Sequence, residues 1–394
     1  MTRPKIIIAS AHRYLSPTRL GTSYLAESLC IRGWDVLFLE QPTSPVHLLH
    51  PRSRKVAGKK FASALNFRRR SPEQPEEGGA GAIDILNVVT AWPHMNAPFL
   101  RSHWTLENWW RLTLPPLQGS IRRRGFENAS AFLFDSPYFY PLARALGIKS
   151  VYRLADRLQH FPEVTPAMLA LQEEVIARSD LVVYTARVLA NDLAARSGPA
   201  LYLPNGVDLR AYARRHPKPP ELSSIPTPRV IYSGTVGPWF DAEIVSKAAR
   251  DCPDIQFIIL GKVIVKHPRL ESLPNVHFIG EVPFQRVPEF LEHCQASIIP
   301  FDVMRMPDLV GGINPLKLYE YCAAGLPVVS YVSEEIDAMA APIRGYRTHD
   351  EFVAGIRAAL QDNGEDARQQ RLAWAQTASW EVRAAALAGA ISSL

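Results

Sequence analysis

Only four cysteines occur in 394 residues (Cys30, Cys252, Cys294 and Cys322), and no two of them are closely spaced. This excludes a disulfide scaffold and a cysteine-rich zinc module, and fits buried thiols in a reducing cytoplasm. Long apolar runs are also missing: no stretch approaches ~18 apolar residues without charges, so no transmembrane helix is expected. The N-terminal run Ile6-Ile7-Ile8 is too short for a signal peptide and lacks a cleavage site, so it reads as a first strand. Gly-x-Gly-x-x-Gly is absent after that strand, as are Gly-x-x-x-x-Gly-Lys-Ser/Thr and His-Glu-x-x-His. No dinucleotide cofactor and no metal are therefore expected.

What remains is a globular composition, 47% hydrophobic and 21% charged, with mean hydropathy −0.07. The length exceeds one ordinary core and predicts two domains. The net charge of +6 is uneven. Residues 1–205 hold 25 Lys and Arg against 16 acids, and the remainder 19 against 22, giving a basic first half and a mildly acidic second. The asymmetry calls for a partner specific to the first half.

Apolar strands alternate with amphipathic helices, which implies parallel sheets covered on both faces. In the first half the strands read as Ile6–Ser10, Val36–Leu39, Ile83–Val89, Ala131–Phe134, Ser150–Arg153, Leu181–Tyr184 and Leu201–Leu203. Helices read as Thr22–Arg32, Tyr138–Leu146, Pro166–Arg178 and Arg187–Arg196. A polar, proline-rich linker spans His216–Pro228. The alternation then restarts with strands Val230–Ser233, Gln256–Leu260, Val276–Ile279, Ala296–Pro300 and Pro327–Tyr331. Its helices are Asp241–Arg250, Val287–Cys294, Leu316–Ala324 and Asp350–Leu360, followed by an Ala-rich helical tail from Glu365. Two consecutive doubly wound units are expected.

Open parallel sheets bind ligands at the carboxyl ends of their strands. The strongest local signal there is Asn314-Pro315-Leu316-Lys317-Leu318-Tyr319-Glu320, a loop entering a helix. Pro315 suits the first turn, and free amides beside Lys317 suit an anion such as diphosphate. Glu320, one turn on, suits the two hydroxyls of a ribose. The plain alternative is a surface helix with an exposed Lys/Glu pair. In the first half, Asp156 follows a strand and could accept a proton from an attacking hydroxyl; the alternatives are capping the next helix or pairing with Arg153 or Arg157. Asp135 has the same local geometry but reads as a helix cap, since Ser136-Pro137 follows.

The run Pro315-Leu316-Lys317-Leu318-Tyr319-Glu320-Tyr321-Cys322-Ala323-Ala324-Gly325-Leu326-Pro327 resembles the nucleotide-sugar motif of GT-B glycosyltransferases. Leu203–Asp208, Ile231–Thr235, Phe278–Val282 and Ser379–Glu381 resemble further family segments in the family's order. Ser10–Arg19 and Val151–Asp156 resemble the membrane-associated glucuronosyltransferase of xanthan assembly and teichuronic-acid-type glycosyltransferases.

The resemblance implies an α/β GT-B fold, two doubly wound Rossmann-like domains facing across a cleft. Residues 1–204 would bind the acceptor and 205–378 the nucleotide sugar, with 379–394 a helix packing back on the first domain. Asp156 would be the catalytic base. Gly21, Gly234, Thr235, Glu281, Val282, Phe301, Pro315, Leu316, Lys317 and Glu320 would bind the nucleotide sugar. His12, Arg19 and Arg153 are acceptor-side candidates. The retaining members carry a glutamate eight residues before the position of Glu320; here that residue is Gly312, which favours inversion. The Asp-x-Asp of metal-dependent glycosyltransferases is also absent, so the donor, a UDP-sugar, is expected to need no cofactor.

Residues 51–70 hold eight Lys and Arg and no acid; Trp92, Trp104, Trp109, Trp110 and Arg122-Arg123-Arg124 follow. Basic charge with amphipathic aromatics predicts contact of residues 51–124 with an anionic membrane surface. Nucleic acid is the competing partner for such charge, but no nucleic-acid motif accompanies it. The expectation is thus a hexosyltransferase peripheral to the inner membrane face, moving a sugar such as glucuronate to a lipid-linked glycan. A nucleotide-sugar epimerase and a non-catalytic nucleotide-sugar-binding scaffold are the alternatives.

Overall fold

The computed structural model describes residues 3–14, 16, 19–49, 58, 72–73, 81–90, 103–161, 164–362 and 364–394. Its contacts divide the chain into two compact units. One comprises Met1–Thr185, Leu189–Leu203 and Ala384–Leu394, the other Ala186–Val188 and Pro204–Arg383.

In the first unit the strands are β1 (Lys5–Ser10), β2 (Asp35–Glu40), β3 (Pro72–Glu73), β4 (Ile83–Leu86), β5 (Val89–Thr90), β6 (Thr113–Leu114), β7 (Ala131–Phe134), β8 (Ser150–Leu154), β9 (Leu181–Tyr184) and β10 (Ala200–Tyr202). Their main sheet runs β10-β9-β8-β7-β1-β2-β4-β3, parallel except for the short β3, while β5 and β6 pair separately. Ile6, Ile7, Ile8, Ala9 and all of β7 are fully buried. They carry no polar alternation because helices cover both faces of the sheet. The strand order reverses between β1 and β7, which flank each other in register from Ile6 beside Ala131 to Ala9 beside Phe134.

The second unit has β11 (Arg229–Ser233), β12 (Gln256–Leu260), β13 (Val276–Gly280), β14 (Ala296–Ile299), β15 (Val328–Tyr331) and β16 (Arg344–Tyr346) in the order β13-β12-β11-β14-β15-β16. All its pairings are parallel, and the order reverses between β11 and β14. Each unit is thus doubly wound with one switch point, the place where such sheets bind ligands.

Two expectations need correction. The Arg187–Leu193 segment winds as a 3-10 helix rather than an α-helix. The Ile83–Val89 strand splits into β4 and β5, which lie in different sheets. The tail is helical as expected, in two helices, Glu365–Thr377 and Trp380–Ser392. Between them Ser379 pairs with Val207, and Gly206 lies so close beneath that a β-carbon there would stand 2.7 Å from the Ala378 carbonyl oxygen. All four cysteines are buried free thiols, and among the described residues no helix is long and apolar enough to cross a membrane.

Candidate active site

At the first switch point, Asp135 follows β7 and reaches across to the end of β1. Its carboxylate accepts from Ser10 Oγ at 2.6 Å, Ala11 N at 2.9 Å and Thr22 Oγ1 at 2.8 Å. Asp135 is therefore not a helix cap: it ties β7 to β1 and to the helix Gly21–Ile31. Ser10 Oγ in turn accepts from His12 N at 3.1 Å, which fixes the backbone of the loop that exposes His12. Gly21 is buried at the start of that helix. Arg19 pairs with Glu27 on the helix and lies over Tyr24, 4.6 Å from the ring centre, so its guanidinium serves as packing against this helix.

Asp156 stands two residues past β8, exposed to solvent. It neither caps the next helix nor forms a close ion pair with Arg153 or Arg157. The short helix that follows has Arg157 at its N-cap position, with no side-chain cap bond. Arg157 itself is engaged by Asp192 through bonds of 2.9 and 3.1 Å. Among the described residues the Asp156 carboxylate makes no hydrogen bond or ion pair. Crowding by the surrounding protein raises its pKa, Asp135 pushing the same way, while Arg153 and His12 draw it back. Arg153 points from β8 into the interior, 5% exposed, and burial lowers its pKa while Asp135 and Asp156 sustain its charge. An available carboxylate with a raised affinity for protons suits a general base.

At the second switch point, Gly234 follows β11 with φ 148°. A β-carbon there would meet Lys317 Cε at 3.0 Å and Nζ at 3.2 Å, so the lysine lies across a space only glycine leaves open. Lys317 projects from the first turn of the helix Leu316–Ala323, which starts after Pro315 at the N-cap position. Its ammonium stands 4.7 Å from the Phe301 ring centre and 5.4 Å from that of Tyr232. Burial lowers its pKa to about 8 against an opposing pull from Glu320. Burial likewise raises the pKa of Glu320, with Lys317 opposing. Among the described residues neither charge has an ion-pair partner. Thr235 is partly exposed beside Gly234, and its carbonyl accepts from Tyr232 Oη at 2.8 Å.

Phe301, expected among the nucleotide-sugar-binding residues, instead lies in the core, 3% exposed and stacked on Tyr331 at 5.4 Å. Its ring forms the floor under the Lys317 ammonium, an attraction of cation to π-face. Glu281 and Val282 follow Gly280 at the end of the edge strand β13, with Glu281 exposed. Sequence reasoning missed Gly261. A β-carbon there would lie 2.2 Å from the Gly234 carbonyl oxygen, so the loops after β11 and β12 touch backbone to backbone. Its signal was present, since an apolar strand ends at a glycine three times, at Gly234, Gly261 and Gly280. A cavity of about 650 Å³ opens at the opposite, amino-terminal end of the strands, beside Gln295 and Pro327 just before β14 and β15; neither Gly234 nor Lys317 lines it.

The expected basic and aromatic surface is only partly described. Residues 51–70, apart from Gly58, and Trp92 lie outside the described residues. Trp109 belongs to the core: it is 2% exposed, stacks on Tyr138 at 4.3 Å and donates to the Tyr138 carbonyl at 2.7 Å. Trp104 is 58% exposed, Trp110 is half-buried, and Arg122 and Arg123 face solvent, whereas Arg124 pairs with Asp84 at 2.9 Å.

Residues 8–185 match the family model "Glucuronosyltransferase GumK, N-terminal domain", and residues 229–362 match "Glycosyl transferases group 1". A UDP-glucuronate:glycolipid 2-beta-glucuronosyltransferase of Xanthomonas campestris pv. campestris is 23% identical over 341 residues, 83% of this chain and 76% of that protein. TuaH of Bacillus subtilis (strain 168), assigned to teichuronic acid biosynthesis, is 26% identical over 222 residues, 52% of this chain and 55% of TuaH. The match thus spans about half the length of that relative. Among solved structures, Anabaena HepE in complex with UDP and glucose superposes with a TM-score of 0.63 at 14% identity, covering 100% of both chains. With two doubly wound sheets and both halves matched in order to glycosyltransferase models, the chain is a glycosyltransferase of the GT-B fold, similar to the xanthan glucuronosyltransferase and to teichuronic acid glycosyltransferases.

Proposed function

We propose that this enzyme transfers a hexosyl group, glucuronate in the first instance, from a UDP-sugar to a hydroxyl of a lipid-linked glycan, with inversion and without a metal cofactor. The observation that carries the reading is Asp156, a carboxylate free of partners among the described residues and raised in pKa at the end of β8. In this mechanism Asp156 takes the proton from the acceptor hydroxyl. The acceptor oxygen bonds to the anomeric carbon as the bond from that carbon to the diphosphate oxygen breaks. UDP departs with the electron pair, and the Lys317 ammonium and the amides at the start of its helix stabilise the developing charge. Glu320 binds the ribose hydroxyls, and Glu281 and Val282 meet the base. Arg153 sustains the ionised state of Asp156 from within the strand, and His12 flanks the acceptor.

The UDP-sugar is supported by HepE, solved with UDP and glucose, and glucuronate and a glycolipid acceptor by the named activity of the Xanthomonas relative. Gly312 at the position of the retaining glutamate supports inversion. Incubation with a panel of UDP-sugars, with and without membrane glycolipid extracts, tests the reading. UDP release that requires both substrates is expected, and release without acceptor contradicts it.

Exposed Trp104, Arg122 and Arg123 support a peripheral position on the cytoplasmic membrane face, each basic group adding about 1 kcal/mol near an anionic leaflet. Anionic vesicles should retain the protein in flotation at low salt and release it at high salt; no retention at low salt removes the membrane from the proposal.

A further inference from the structure

Behind the loop that presents Lys317 lies a buried polar network with no part in the chemistry above. Glu335 is 1% exposed, and a carboxylate that deep is costly unless its oxygens are hydrogen-bonded. One oxygen accepts from the Arg187 amide at 2.6 Å and the other from Asn314 Nδ2 at 2.7 Å. Asn314, 5% exposed, is held from several sides. Its Oδ1 accepts from Asn205 N at 3.0 Å and Tyr319 Oη at 2.9 Å, and its main-chain carbonyl accepts from Asn205 Nδ2 at 2.7 Å. Two donors on one side-chain atom and a carboxylate on the other fix the orientation of the amide.

The placement of these partners matters. Asn314 immediately precedes Pro315 and the helix Leu316–Ala323 that carries Lys317 and Glu320, and Tyr319 lies on that helix. Arg187 belongs to the three-residue piece Ala186–Val188, which clusters with the second unit although the chain on both sides clusters with the first. Asn205 lies just past the next crossing into the second unit, and its carbonyl accepts from Arg383 Nε at 3.2 Å, just before the last one. The loop is therefore pinned from behind by the segments where the chain enters and leaves the unit. Apolar packing could fill such a volume with equal stability, but it would not define the loop's height and rotation to hydrogen-bond precision.

We propose that Glu335 and Asn314 are positioning residues for donor binding, setting the Pro315–Lys317 turn so that its amides and the Lys317 ammonium converge on one diphosphate. The proposal rests on the reading of Lys317 as the diphosphate-binding residue.

Isothermal titration with UDP tests it on the full chain, alongside thermal melting. Glu335→Gln places an NH₂ against one of the two N–H donors, and Asn314→Asp sets a second carboxylate against Glu335. Each should weaken UDP binding about tenfold, the effect of disturbing one buried charged hydrogen bond. The double variant N314D/E335Q restores the network with reversed polarity. The carboxylate introduced at position 314 accepts from Asn205, from Tyr319 and from the amide introduced at position 335. The carbonyl of that amide accepts from Arg187, and the total charge is unchanged. UDP affinity of the double variant should return to within about threefold of wild type. Tyr319→Phe removes one donor without stranding a charge, so it serves even where a single variant fails to fold; it should weaken UDP binding about threefold.

Folded variants that bind UDP as wild type does, or a folded double variant that fails to recover, overturn the positioning role. Lys317→Ala separates the two readings. If it loses affinity and the network variants do not, only the positioning proposal fails. If the wild-type protein does not bind UDP, the donor reading fails and the proposal with it.

Discussion

Lys317 occupies the space of a missing side chain at Gly234: a β-carbon on Gly234 would stand 3.0 Å from Lys317 Cε and 3.2 Å from Nζ. Gly234 lies in the loop after β11 and Lys317 in the helix Leu316–Ala323 of the connection after β14; these two strands flank the point where the strand order reverses. A conformation that L side chains rarely adopt and a glycine-only gap coincide at the place where the Lys317 ammonium is held. Substituting Gly234 by Ala should therefore displace Lys317 and strain the turn, costing about 1–3 kcal/mol of stability. UDP affinity should fall along with the melting temperature. Titration of the folded variant checks this; unchanged affinity would mean that Lys317 need not sit where it does.

The lysine also makes donor binding sensitive to alkali. Its pKa is lowered by burial to about 8, and an anion binds the protonated form better. UDP affinity should be level from pH 7 to 8 and then fall as pH rises through the free protein's value, by up to tenfold per unit until the complex also deprotonates. Lys317→Gln should bind weakly at all these pH values, with a flat profile. A level wild-type profile up to pH 10 would remove the lysine from diphosphate binding.

Asp135 carries a stability prediction. Three donors from two segments converge on its carboxylate, so Asp135→Ala strands Ser10, Ala11 and Thr22 together. The expected loss is about 3 kcal/mol in urea unfolding. A loss below about 1 kcal/mol would show that water replaces these bonds freely.

Much of the scaffold was legible because strands buried on both faces are uninterrupted apolar runs. β7, β12 and the helix Pro166–Arg178 fall where the pattern puts them. Strand ends were legible for the same reason, and with them the positions of His12, Asp156 and Gly234; Lys317 was legible from the helix start after Pro315. Direction was not. Phe301 and Trp109 look the same in sequence whether they face a ligand, a membrane or the core, and packing around Tyr331 and Tyr138 decided. Partners distant along the chain were hidden too. Nothing local to Asp135 announces Ser10, and nothing local to Asn314 announces Asn205 or Glu335. The residues that hold the site in shape were for that reason harder to read than those that face it.

The central claim is that Asp156 is the base. The kcat/KM of sugar transfer against pH, for wild type and Asp156→Asn, tests it most directly. The base must be ionised, so wild-type activity should fall as pH drops through a value above the ordinary carboxylate range, because crowding raises the Asp156 pKa. The folded Asn variant, with UDP affinity intact, should turn over about 10²- to 10⁴-fold more slowly and lose that acidic limb. A variant that keeps wild-type turnover and the same limb would contradict the account.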